Sequence, residues 1–308
     1  MRSSARDLVP LSMAVLQVAG VIALAWSFDR LGPVAIALSA IGLIAVGDMA
    51  AQAEHYSTHR PFFVPRWLNR ACQLLFSLVA SRPSSGYSIG HLHHHAFTIS
   101  YTHLSLRDAL GFTSVRAVLG TIVRSYVNAF QLGTVWLLAR GLRPSPGERR
   151  PAPPERFDRY ADYINQMVGR VLEIGRANPR AARRLWTEVA VIAVFRIGLC
   201  AVSYRCFFLC LVPMEIVAGL WADYSEYCTH YGATGTDASR NAVSSYGRLF
   251  NLLWHNFGYH QEHHLRPSLH WTKLPSARAE LPAEGLRRVV PGALWLNPLL
   301  PVPGDPDR

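Results

Sequence analysis

Nine of the thirteen histidines in this chain stand at spacings that suit metal binding. His55 and His59 form an HxxxH, His91, His94 and His95 an HxxHH, and His260, His263 and His264 a second HxxHH. His230 stands alone in Glu226-Tyr-Cys-Thr-His-Tyr-Gly232. On a helix, residues i, i+3 and i+4 share one face, so each cluster can aim its imidazoles at one point. Neutral imidazole is the commonest protein metal ligand, and one structural zinc takes four ligands. Eight or nine exceed that number and favour two metal ions. Imidazole suits iron, copper, zinc and nickel, so spacing alone does not choose among them.

Supporting residues extend the pattern. Asp48 and Gln52 precede His55 and His59 on one helical stripe, placed to accept the free ring N–H of a ligand histidine. Asp223, Glu226, Tyr227 and His230 repeat that arrangement downstream. Glu226 can ligate a metal directly, act through water, or hold a ligand; the last two are favoured. His93 points away from the face shared by its neighbours. Isolated His103, His255 and His270 read as surface or hydrogen-bonded residues. The histidine run at 91–95 resembles an adventitious metal-binding tract by itself, but recurrence of its spacing at His260 argues against that.

These histidines need elements to carry them, and composition says which. Half the chain is apolar, 17% is charged, and mean hydropathy is +0.12. Disorder is excluded by so much apolar side chain, and lipid is the obvious place to bury it. Five cysteines without a CxxC pair exclude a zinc ribbon, a thioredoxin-like site and a self-contained iron–sulfur cluster. The net charge is +11, and Lys273 is the only lysine. The arginines flank apolar runs as cytoplasmic loops do, which argues against nucleic acid as a partner.

Residues 8–28 form an uncharged run long enough to cross a bilayer, and 33–53 form a second run broken only by Asp48. The 34 mostly apolar residues from Val189 to Ala222 fit two helices folded back near Ser203-Tyr204-Arg205. Arg196 lies inside them and needs a partner or a polar cavity. The expected spans are therefore 8–28, 33–53, 187–204 and 206–224, with 54–186 and 225–308 cytoplasmic. Trp67 to Val79 and Val118 to Leu138 read as interfacial helices. Tyr160, Ile164, Met167, Val168, Val171 and Leu172 recur at helical spacing, as on an amphipathic helix. Arginine asymmetry puts both termini and every histidine cluster on the cytoplasmic side, in a bacterial inner membrane. The expected fold is all-α: one membrane domain over 1–308, a bundle of about four transmembrane helices with a helical cap carrying a di-metal site.

HxxxH, HxxHH and a downstream HxxHH alternating with membrane hairpins resemble the integral-membrane fatty-acid desaturase and hydroxylase superfamily. The stretch Asn256-Phe-Gly-Tyr-His-Gln-Glu-His-His264, continuing to Pro275, is close to that family's NxGYHxEHHxxPxxxWxxLP signature. The resemblance implies a non-haem centre of two iron ions, O2 as co-substrate, and cleavage of an unactivated C–H bond. It assigns the metal ligands to His55, His59, His91, His94, His95, His230, His260, His263 and His264. Glu226, Asp48, Gln52, Asp223 and Asn256 are supporting residues or possible ligands, and no catalytic residue is expected beyond the ligands. Glu226 replaces an asparagine of the family's single-histidine motif. Tyr227, His230, Tyr231 and Gly232 match a related pattern of alkane hydroxylases.

Removing a second hydrogen gives an alkene and returning oxygen gives an alcohol, so ligand spacing does not separate the two. A fatty-acid desaturase is the leading expectation. A hydroxylase of an alkane, lipid, carotenoid or specialised metabolite is the alternative, and a membrane metal transporter or sensor is the non-enzymatic one. A transporter would be expected to place ligands within the spans, whereas these cluster at one face. The chain carries no recognisable electron-transfer module, so an external ferredoxin- or rubredoxin-type donor is expected. The arginine-rich Leu142 to Arg184 region would dock such a donor or contact anionic lipid.

Overall fold

The computed structural model describes residues 5–96, 106–111, 114–143, 160–233 and 237–301. Among them the regular structure is helical apart from two strands of two residues each. Four helices are long and apolar enough to cross a membrane: Ala5–Arg30, Pro33–His59, Pro179–Val202 and Tyr204–His230. The chain forms two compact units.

The first unit comprises Met1–His91, Ser114–Pro151 and Met167–Gly219. Helices α1 (Leu8–Ser27) and α2 (Pro33–His59) make a hairpin in which proline, needing no N–H donor in the first turn, opens α2. Helix α3 (Arg66–Ala80) buries Cys72, Phe76 and Ser77 while Trp67 stays exposed, as on a half-packed helix. Helix α4 (Ser84–Ala96) follows and carries the first HxxHH. The apolar stretch 118–138 is two short helices, α5 (Val115–Val127) and α6 (Leu132–Gly141). A turn at Asn128–Gln131 divides them: Gln131 takes a φ of 62°, and Asn128 Oδ1 accepts from Thr134 N at 3.1 Å.

The amphipathic helix is α7 (Tyr160–Ala177). Helix α8 (Pro179–Val202) starts ahead of the apolar run because Asn178 caps it, accepting from Arg180 N at 3.0 Å. The fold-back falls at Ser203, whose hydroxyl accepts from Cys206 N at 3.1 Å. The last span opens with a helical turn, passes through a π-helical stretch at Phe207–Leu211, and continues as α9 (Val212–His230).

The buried charges of Arg196, Glu188 and Glu54 are paired, as an apolar surrounding demands. Arg196 meets Glu215 at 2.6 Å, bonds the Ala129 carbonyl, and lies over the Phe207 ring. Glu188, fully buried, pairs with Arg70 and accepts from Ser85 N at 2.9 Å and Ser85 Oγ at 2.6 Å. It thus anchors the first turn of α4. At the opposite end from the α2 histidines, Arg205 pairs with Asp29 at 2.8 Å and ties the turns of the two hairpins together.

The second unit comprises Leu92–Thr113, Ala152–Gln166 and Leu220–Arg308. The chain enters and leaves it within α4, α7 and α9. Strands β1 (Ser244–Ser245) and β2 (Val289–Val290) pair in parallel, and helices α10 (Arg248–Leu253) and α11 (His260–Leu265) lie between them in the chain. Val243, Phe250, Phe257, Val290 and Leu294 form the core, edged by Trp254 and Trp295. Gly258 approaches the Ser245 carbonyl so closely that a Cβ would sit 2.3 Å from its oxygen. Only glycine fits there, two residues before the last HxxHH.

Candidate metal centre

Helical spacing does its expected work in the first unit. His55 and His59 close α2 one turn apart, and His91 comes to them from α4. Ring centroids of His55 and His91 are 4.4 Å apart, and those of His59 and His91 are 4.9 Å apart. The ligand nitrogens of these three residues all lie within 4.8 Å of one another. Two cross-links hold the helices in register. Thr58 and Ser88 hydroxyls bond at 3.1 Å, and buried Glu54 accepts from Arg82 at 2.9 Å.

In the second unit, His94, His230 and His264 present their ligand atoms within 4.8 Å of one another, all three buried. His260 Nε2 is 3.4 Å from His230 Nε2, and His95 Nε2 is 3.1 Å from His263 Nε2. His230 has a defined tautomer. Its Nδ1 lies 2.8 Å from the Asn241 carbonyl, which only accepts, so the proton sits on Nδ1 and the lone pair on Nε2. His94 is oriented by Tyr163, whose hydroxyl is 3.3 Å from His94 Nδ1 and donates to Glu226 Oε1 at 3.5 Å. Glu226 Oε1 in turn lies 3.8 Å from His94 Nε2 and 3.9 Å from His230 Nε2. Glu226 therefore sits where it can reach both ligand nitrogens or a water bound between them.

This donor set fits a metal ion. Burial pushes His264 well below the ordinary histidine range, and the imidazoles of His95, His260, His230 and His94 push it further. His264 is thus neutral at pH 7. Its Nε2 is buried with no hydrogen-bond partner among the described residues. Such an atom costs about 1–3 kcal/mol unless something accepts its lone pair. A cation among these three buried imidazoles does so, and soft or borderline metals suit nitrogen donors.

The supporting residues divide. Glu226 is in place. Gln52 is buried, but its Oε1 has no hydrogen-bond partner among the described residues, so it does not accept a histidine N–H there. Asp48 lies farther back along α2, and Asp223 lies one turn before Glu226 on α9. Asn256, at a φ of 63°, donates to the Trp271 carbonyl at 3.1 Å and so shapes the approach to α11. His255 and His270 pack against Trp271, outside both histidine groups, and His103 lies outside the described residues. Tyr163 was not anticipated. It lies on the periodic face of α7, but nothing in a tyrosine's own sequence context announces contact with a histidine 69 residues away.

The family model for fatty acid desaturases matches residues 31–291. Curated proteins and solved structures give no match to the chain. The matched stretch contains all nine clustered histidines, each HxxHH and three of the four apolar helices in full. The chain belongs to the fatty acid desaturase family, and is a membrane oxidoreductase of the desaturase and hydroxylase type.

Proposed function

We propose that the nine clustered histidines hold two iron ions, and that the enzyme removes hydrogen from an unactivated C–H bond of a fatty-acyl or similar apolar chain. Desaturation is the principal reading. The observation that carries it is the buried His94, His230 and His264 group, with a neutral, unpartnered nitrogen on His264. Ligands would be His55, His59, His91, His94, His95, His230, His260, His263 and His264. When bound, the iron pair would supply the oxidising power for C–H cleavage from O2, with electrons from an external ferredoxin- or rubredoxin-type donor.

The chain's own residues do the rest. The Asn241 carbonyl holds the His230 proton at Nδ1 and leaves Nε2 for the metal. Tyr163 takes a hydrogen bond from His94 Nδ1 and passes its own to Glu226 Oε1, fixing a second ring. Glu226 is partly open to solvent and lies 3.8 Å and 3.9 Å from two proposed ligand nitrogens, where it can hold a water beside them. Burial of His55, His91, His260, His263 and His264 keeps water from their rings, while His59 and His95 are half-buried. The arginine asymmetry supports placing both termini and the histidines in the cytoplasm of a bacterial cell, within one membrane-bound domain over 1–308.

Hydroxylation is the second reading, favoured by Tyr227, His230, Tyr231 and Gly232, which resemble a pattern of alkane hydroxylases. Feeding candidate lipids under 18O2 and analysing products by mass spectrometry separates the two. Loss of two hydrogens without label supports desaturation, and label in the product supports hydroxylation. A purified chain free of iron and inert towards every apolar substrate overturns both.

A further inference from the structure

The carboxy-terminal segment 287–297, which runs past the last residue the family model matches, reaches two of the helices that carry histidines. Asn297 is fully buried. Its Nδ2 donates to the Cys228 carbonyl at 2.7 Å and the Tyr231 carbonyl at 2.8 Å, so one amide satisfies two carbonyls at the end of α9, on either side of His230. Its Oδ1 accepts from Arg288 Nε at 2.6 Å. Arg288 is 6% exposed and faces neutral acceptors: the carbonyls of Asn297 at 3.2 Å, Leu300 at 3.3 Å and Pro301 at 3.0 Å. A buried guanidinium is costly, and four hydrogen bonds, three of them to backbone carbonyls, give it a single geometry. Arg288 therefore sets the Asn297 side chain.

The neighbouring arginine serves the other helix. Arg287 Nη1 donates to the Tyr246 hydroxyl at 2.6 Å, and Tyr246 donates to Glu262 Oε1 at 2.6 Å. Ser244 Oγ donates to Glu262 Oε2 at 2.7 Å and accepts from Gln261 N at 3.1 Å. Glu262 lies between His260 and His264 in α11, a helix of six residues that cannot hold itself without tertiary bonds. Pairing of β2 with β1 places Arg287 and Arg288 beside both groups.

We propose that Arg287, Arg288 and Asn297 form a positioning bracket for the metal site, in which Asn297, set by Arg288, holds His230, while Arg287 acts through Tyr246 and Glu262 on His260, His263 and His264. The inference rests on the metal-site reading above. None of these residues touches substrate; they act through the ligands, and loss of such support typically weakens metal binding about 10- to 100-fold.

The test uses the full chain purified in detergent and loaded with ferrous iron. Iron per chain and the rate of release to a ferrous chelator are compared for wild type, Asn297→Leu and Trp295→Phe. Trp295→Phe trims aromatic packing in the same segment without touching the bracket. The expected result is a folded Asn297→Leu protein that releases iron at least about tenfold faster, or holds fewer ions. Trp295→Phe should unfold at a lower temperature yet keep wild-type release. Wild-type stoichiometry and release in Asn297→Leu overturn the bracket alone, whereas a wild type that binds no iron overturns the reading beneath it. If Asn297→Leu does not fold, Arg288→Gln is read in the same assay. Failure of both to fold also overturns the inference, because the segment would then hold the fold rather than the ligands.

Discussion

The two units hold their histidines by different means. In the first, His55, His59 and His91 ride on α2 and α4, helices of 27 and 13 residues. Helices of this kind keep their own register, and ion pairs such as Arg70–Glu188 and Arg82–Glu54 fix one against another. In the second, the last HxxHH occupies a six-residue helix, and His230 ends α9. There the fixing bonds run from side chains to backbone carbonyls and from Ser244 and Tyr246 to Glu262. The contrast follows from the surroundings. An apolar bundle requires charge neutralised in pairs, whereas an irregular fold of short elements has carbonyls at helix ends that an amide or guanidinium can gather. Injury to the first unit should therefore appear as lost stability, and injury to the second as lost metal.

The largest effect should come from a ligand. His264→Ala removes the buried nitrogen at the centre of its group, and activity should fall at least about 100-fold with loss of bound iron. Wild-type iron content in a folded His264→Ala protein would remove this residue from the ligand set. Glu188→Gln tests the first unit. Breaking a buried pair on one side costs about 3–5 kcal/mol, so the unfolding midpoint in detergent should drop sharply. Replacing both partners, as in Arg70→Met with Glu188→Leu, should recover much of that stability, because neither charge is then left buried and alone.

Gly258→Ala should cost about 1–3 kcal/mol, since its Cβ has no room against the Ser245 carbonyl. Because that strain lies beside α11, iron release should accelerate as well, a pairing of effects not expected for Glu188→Gln. The mildest effect is that of pH on metal-free protein. His264 lies well below the ordinary histidine range, and burial lowers His255 to about 4. The unfolded chain therefore binds more protons than the folded one as pH falls below about 6.5, and stability declines with acidification. Denaturation at pH 7.5 and pH 5.5 measures this, and bound metal should blunt the loss by keeping the imidazoles unprotonated.

Local features were legible before any coordinates. Apolar runs near 20 residues mark spans because bilayer thickness sets helix length, and the i, i+3, i+4 spacing marks a histidine face because the helical period is fixed. The four apolar helices, the three histidine clusters and the family itself follow from those two regularities. Helix ends were less legible: α8 begins at Pro179 because Asn178 caps it, and capping is indifferent to hydropathy.

Tertiary structure alone decided which polar residues serve the histidines. Gln52 shares their stripe yet has no acceptor role among the described residues, while Tyr163 and Asn297 reach across 69 residues. A helix repeats, so sequence can announce it. A side chain bonding a distant carbonyl repeats nothing, and only the folded chain shows which carbonyl it meets.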